Sequence, residues 1–401
     1  MKRVKGKSRV ILLFLTAAVI TLALFSSEGV AVAKDEDDLF DNLSSSTVKA
    51  IENLDTDAFQ RFLDSLEDEQ KSSVPFHDLK EFIKGLTKGE TEDFFSNFLT
   101  ALLKSLGKYF VGFLPAIITI LVVSLLKSML SGMTSGFLKT GTSEIVHVVC
   151  YAVIVVVLSS AIVSVVQVTV TTINNMTAFA SGVFPVLLTL LAGLGATTGV
   201  ATYQPMMAVL GGGVMALISK VILPAFIACV VFAVVGNLSK NVKLTKMNKM
   251  FKSVSSWLIG IVFGLYGTFL TVGGIAGGVV DKVGYSAAKF ALSSYVPILG
   301  GYLSDGFDLV GASMMLVKNA FGYTAVIVLV ATVMFPLLKI VVFIFSLRLA
   351  SAVAEPIGDD RVSNMLSTVA DNCSLLISAL AGVAFMFFVL IMLVIGVFNG
   401  V

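Results

Sequence analysis

Long apolar runs alternate with short polar segments through most of this chain, and their lengths predict membrane-crossing helices. The runs at 109–126, 145–170, 213–236, 257–280, 321–345 and 373–397 are each close to the ~20 residues needed to cross a hydrocarbon core. Two further stretches are apolar but broken. The first, 178–212, carries Gly182, Pro185, Gly193, Gly195, Gly199, Pro205 and the triplet Gly211 to Gly213. The second, 281–320, holds Pro297, the pair Gly300 and Gly301, three Lys (282, 289, 318) and three Asp (281, 305, 308). Non-helical backbone at membrane depth persists only where protein or a wet cavity satisfies it, so both read as re-entrant segments near the working part of the protein. A short amphipathic surface helix is the plainer reading of the second. The predicted fold class is all-α: a polytopic helical membrane protein with about six spans, two Gly/Pro-broken re-entrant segments and a small N-terminal domain.

The N-terminal quarter has a different pattern. Basic residues at 2, 3, 5, 7 and 9, an apolar core over 10–25 and Ala31-Val32-Ala33 read as a cleaved signal peptide, 1–33. Residues 34–107 then form an acidic helical domain outside the cytoplasm, ahead of the membrane domain at 108–401. Between residues 34 and 105 lie 17 acidic and 8 basic side chains. Phe59, Phe62, Leu63 and Leu66 fall at i, i+3, i+4 and i+7, the stripe of an amphipathic helix. Some 70 residues make a marginal core alone, so this piece is expected to dock on a partner or on its own membrane domain; a solvated stalk is the alternative.

Charge then orients the spans. The loop 238–256 carries Lys240, Lys243, Lys246, Lys249 and Lys252 and no acid, which places it in the cytoplasm. An outer N-terminal domain and this loop are reconciled if 178–212 turns back on itself and 213–236 crosses once. The chain then ends outside after 373–397. An offset of 112 aligns Pro185 with Pro297 and Pro224 with Pro336, suggesting an internal repeat of 145–236 and 257–348.

Composition narrows the chemistry. The chain is 56% hydrophobic and 13% charged. It has no basic, aromatic-rich patch for nucleic acid, and its two His and three Cys are scattered, so no metal or cofactor is expected. GxxxxGK(S/T), HExxH and calcium-loop motifs are absent. Ser286 and Lys289 have the spacing of a serine acyl-transfer pair, but the same spacing recurs at Ser105/Lys108 and Ser124/Lys127 without companion motifs. The chain is therefore read as a non-enzyme. Lys220 and Lys339 fall inside predicted spans; Lys339 reads as snorkelling to the nearby cytoplasmic end. Gly260-x-x-x-Gly264 and Gly274-x-x-x-Gly278 are spacings for close helix contact, within the chain or between copies in a homo-oligomer. Glu355-Pro356-x-Gly358-Asp359 is a compact turn, either a docking site for a cytoplasmic partner or a rigid connector.

Two strings carry a family resemblance: Lys289, Pro297-x-x-Gly300-Gly301, Asp305 and Lys318-Asn319-x-x-Gly322, and Arg348 onward through Glu355-Pro356-Ile-Gly358-Asp359. They resemble the stage III sporulation protein AE family. The resemblance implies a membrane component of the channel or secretion-like complex joining mother cell and forespore, needed for forespore development and late gene expression. It implies placement in the outer forespore membrane, with the N-terminal domain in the intermembrane space. The partners implied are the other stage III A proteins, including a cytoplasmic ATPase, and the forespore-side stage II Q protein. Pro185, Lys289, Pro297, Gly300, Gly301, Asp305 and Lys318 are the candidate gate or packing residues. A self-contained small-solute permease is the alternative function.

Overall fold

The computed structural model describes residues 47–52, 54–66, 68–71, 80, 83, 94–137, 140–238, 244–295, 300–357 and 359–397. The expected signal peptide, Pro297 and Gly358 lie outside the described residues. Six long helices dominate: α3 (Phe94–Phe137), α4 (Thr140–Gly193), α5 (Thr197–Leu238), α6 (Thr245–Tyr295), α7 (Gly300–Ala354) and α8 (Asp360–Gly396). Two short ones precede them, α1 (Asp57–Asp64) and α2 (Asp68–Lys71). No strand occurs among the described residues. All six long helices contain a stretch apolar enough to cross a membrane, and the chain is an all-α polytopic membrane protein.

The helices outrun the spans. α4 has 54 residues, or about 80 Å at 1.5 Å per residue, against a hydrocarbon core of about 30 Å. Much of the extra length lies in the two segments expected to be broken. Residues 178–212 form a hairpin, but its arms are the helical continuations of α4 and α5 and the reversal occupies only Leu194 to Ala196. Residues 281–295 and 300–320 are likewise helical, as the end of α6 and the start of α7. Among the described residues of both segments the backbone is helical apart from 194–196.

The reversal at 194–196 has a local cause. The Gly195 N–H donates to Ala192 O at 2.9 Å and the Ala196 N–H to Leu191 O at 3.0 Å, with Gly195 at φ 78°. This is the paired 5→2 and 6→1 closure in which a left-handed residue ends a helix, and Gly takes that φ without a Cβ clash. Gly182 and Gly199, also read as breaks, admit close neighbours instead. A Cβ on Gly182 would meet Phe59 Cα at 2.9 Å, and one on Gly199 would meet an Asp281 carboxylate oxygen at 2.8 Å. Gly211 to Gly213 lie in a π-helical turn, Val209–Val214, and a second π turn, Ile218–Ile222, contains the exposed Lys220. Such wide turns interrupt an α-helix without ending it.

α7 and α8 form the centre: 72% of the apolar stretch of each is buried, against 22–33% in the other four long helices. Two glycines on these inner helices sit against neighbouring side chains, Gly322 against Ile395 and Gly382 against the Phe263 ring. α1 packs across α4 by the face that its periodicity predicts. Phe59 meets Phe179 and Phe321 edge-on, with ring centres 6.0 and 5.6 Å apart, and Phe179 in turn meets Phe387 at 5.9 Å. The amphipathic N-terminal helix therefore docks on its own membrane domain. In α2, the Gln70 amide donates to Thr332 O on α7 at 2.9 Å.

Candidate functional site

The stretch 281–322 is where sequence reasoning concentrated its candidates, and the fold turns it into a helical clasp. Asp281, on α6, is buried and faces the start of α5. Ala196, the residue preceding that helix, offers no side-chain acceptor. The Asp281 carboxylate supplies it from another helix, accepting from the N–H of Thr198 at 2.9 Å and of Gly199 at 2.5 Å. These are the second and third positions of α5, where an N-cap oxygen normally bonds, and a negative charge there also opposes the helix dipole. Lys318, on α7, makes the converse contact. Its ammonium is buried and donates to Ile395 O at 2.9 Å and to Val397 O, closing the last turn of α8. A cation at a helix C-terminus satisfies carbonyls that lack intrahelical donors.

Between these two caps the arms of the hairpin are tied together. Lys289 pairs with Asp308 at 2.7 Å, both largely exposed, a contact worth about 0–1 kcal/mol. One turn away Tyr285 fills the notch at Gly311, where a Cβ would lie 2.4 Å from the phenol oxygen. Burial raises the Tyr285 phenol pKa, and Asp308 adds to the rise while Lys289 opposes it. Ser286, the residue weighed with Lys289 for acyl transfer, is exposed. Gly300, Gly301 and Asp305 lie in the first turns of α7. Pro185 lies inside α4, exposed, far from the clasp in sequence.

At the opposite end of the bundle, the turn 355–359 is divided. Glu355 and Pro356 are exposed, but Asp359 is buried and committed. Its carboxylate caps α8 through the Val362 N–H at 3.3 Å, accepts from the Ser124 hydroxyl at 2.9 Å and pairs with Lys127 at 2.5 Å. Ser128 adds a bond to Ile357 O at 2.6 Å. One face of the turn is thereby held on α3. Sequence reasoning met Ser124 and Lys127 only as a recurrence of the Ser-x-x-Lys spacing and did not single out Ser128; their shared helical face was the available signal.

Two polar features were also missed. Asn372 donates to Cys229 O at 3.2 Å and to Asn248 Oδ1 at 3.0 Å, joining α8, α5 and α6 inside the apolar bundle. A cavity of about 390 Å³ opens between α3, α4 and α7. Ser164, Thr171, Thr172 and Asn175 face it from α4, and Lys108 and Lys339 from the other two helices. The Lys339 ammonium lies 5.8 Å from the centre of the Tyr109 ring. α7 runs on to Ala354, 15 residues beyond Lys339. Gly260 and Gly264 have no neighbour within 4 Å, whereas Gly274 packs on Leu393.

The geometry defines a polytopic helical membrane protein whose buried charges are spent on helix ends, with no group of three or more metal-binding side chains among the described residues. The family model described as stage III sporulation protein AE matches residues 77–397. The chain belongs to that family, and with it to the proteins of sporulation. A stage III sporulation protein AE from Bacillus subtilis (strain 168) is 24% identical over 252 residues, which span 63% of each chain. The match therefore covers less than two thirds of that relative's length. No solved structure matches this chain.

Proposed function

We propose that this chain is the integral-membrane component of a channel or secretion-like complex that connects mother cell and forespore and sustains forespore development and late gene expression. The observation that supports it most is the family match across residues 77–397, which begins after α1 and α2 and covers all six long helices from the start of α3 at Phe94 to the end of α8. The protein lies in the outer forespore membrane, with its N-terminal helices in the intermembrane space. It works as an export-gate-like scaffold without catalysis of its own. Energy comes from a cytoplasmic ATPase among the other stage III A proteins, and the forespore-side stage II Q protein completes the path. Glu355 and Pro356, the exposed half of the turn, are the surface offered to a cytoplasmic partner.

Affinity purification of the full chain from sporulating cells tests this reading. Co-purification of the other stage III A proteins is the expected result. Solute uptake by liposomes holding the purified chain alone would overturn it in favour of a self-contained permease.

A further inference from the structure

We infer that Gln70 is a latch: from the N-terminal segment it fills a hydrogen-bond vacancy that Pro336 leaves in α7, and its departure opens the polar cavity beside that turn. Pro336 lies inside α7. Proline has no N–H, so it cannot make the bond that a helical residue gives to the carbonyl four positions earlier. The carbonyl left over is that of Thr332, a fully buried residue within the candidate span Asp308–Ala354. It is the same oxygen to which the Gln70 amide donates at 2.9 Å. A freed carbonyl inside a span has to be satisfied by a side chain, a neighbouring helix or water. Here the donor comes from 262 residues earlier in the chain. Gln70 is itself 2% exposed, and a buried amide needs acceptors as much as the carbonyl needs a donor.

The latch is carried on an element that can leave. α1 and α2 are eight and four residues long, too short to hold helical form alone, so they keep their shape only while docked. α1 is held by Phe59 against Phe179 and Phe321. The space that would open lies beside the vacancy: Gln70, Phe335 and Pro336 line the cavity of about 390 Å³ and face Ser164 and Thr172 on α4. With the segment docked, Thr332 O is served by an amide. With it displaced, the donor has to be water admitted to that cavity, whose hydroxyl-bearing wall can hold it. A proline turn is also where a helix yields most readily. Docking of the segment and closure of the cavity are thereby one equilibrium. Whatever holds Phe59 and Gln70 in place keeps the turn 332–336 dry, and whatever draws them away hydrates it.

The test follows entry of a charged, water-soluble thiol reagent into the cavity of the full chain in mild detergent. Cys150, Cys229 and Cys373 are replaced by Ala, and Thr172→Cys, at a cavity-lining position 1% exposed, is the reporter. Gln70→Met keeps the side-chain length and removes the donor; it is expected to speed labelling about tenfold, the effect of stranding one buried acceptor. Pro336→Ala restores an N–H to the helix, so Gln70→Met in that background is expected to label within about twofold of the starting chain. Pro336→Ala alone is expected to label no faster than the starting chain. Unchanged labelling in Gln70→Met overturns the latch. Equal acceleration by Gln70→Met with and without Pro336 overturns the link to the proline vacancy and leaves Gln70 as packing. Should Gln70→Met alone fail to fold, recovery of a monodisperse chain on adding Pro336→Ala supports the same dependence, and no recovery overturns it.

Discussion

Asp281 offers the sharpest test of the clasp. Replacing it with Ala removes both acceptors at the start of α5, leaving the N–H groups of Thr198 and Gly199 without the carboxylate that binds them at 2.9 and 2.5 Å. Loss of an ordinary N-cap costs about 0.5–2 kcal/mol. Hydrogen bonds to a charged group contribute about 1.5–3 kcal/mol each, and buried donors left unpaired add their own desolvation cost. Because the two bonds share one carboxylate they do not simply add, and about 2–4 kcal/mol is the expected loss. At 1.4 kcal/mol per decade, hydrogen exchange of a peptide spanning 194–206 should quicken roughly 30- to 1,000-fold if local opening governs it. Asp281→Asn keeps an acceptor oxygen of good capping type but loses the charge, so its effect should be about 1 kcal/mol. Gly199→Ala should resemble the Ala variant in part, because its Cβ would lie 2.8 Å from the carboxylate oxygen. Unchanged exchange over 194–206 in Asp281→Ala would refute the assignment, as would identical behaviour of the Ala and Asn variants.

Other outcomes follow from the same structure. Gly182→Ala drives a Cβ to 2.9 Å from the Phe59 backbone; overpacking of this kind costs about 1–3 kcal/mol, so cysteines placed at 59 and 179 should cross-link more slowly while the six-helix core melts at nearly its normal temperature. Lys127→Met strands the buried Asp359 carboxylate, which is expected to destabilise the protein by about 3–5 kcal/mol in detergent unfolding. The double variant Lys127→Met, Asp359→Asn should recover most of that loss, and failure to do so would show that the ion pair is not the dominant contact. Lys318→Met leaves the carbonyls of Ile395 and Val397 without their donor and should make the C-terminal turn of α8 the first site of proteolysis, with α5 protected as before.

Patterning alone carried the class of the fold. Six apolar runs, five lysines in one connector and the Phe59, Phe62, Leu63 stripe were enough for helices, their number and the buried face of α1, because hydrophobic length and 3.6-residue periodicity are local properties of the chain. Gly195 was visible too, but only as one glycine among many. Which glycine ends a helix and which merely admits a neighbour depends on what packs there: Gly182 receives the Phe59 backbone, Gly199 a carboxylate, Gly382 the Phe263 ring. The same holds for charge. In the sequence Asp281 and Lys318 are a balanced pair of polar residues between spans, and nothing local says that one closes the start of a helix 82 residues earlier and the other the end of a helix 77 residues later. Free N–H and C=O groups at helix termini demand partners wherever the chain brings them, so the destination of these charges was decided by tertiary packing, while the need for them was already written in the helices.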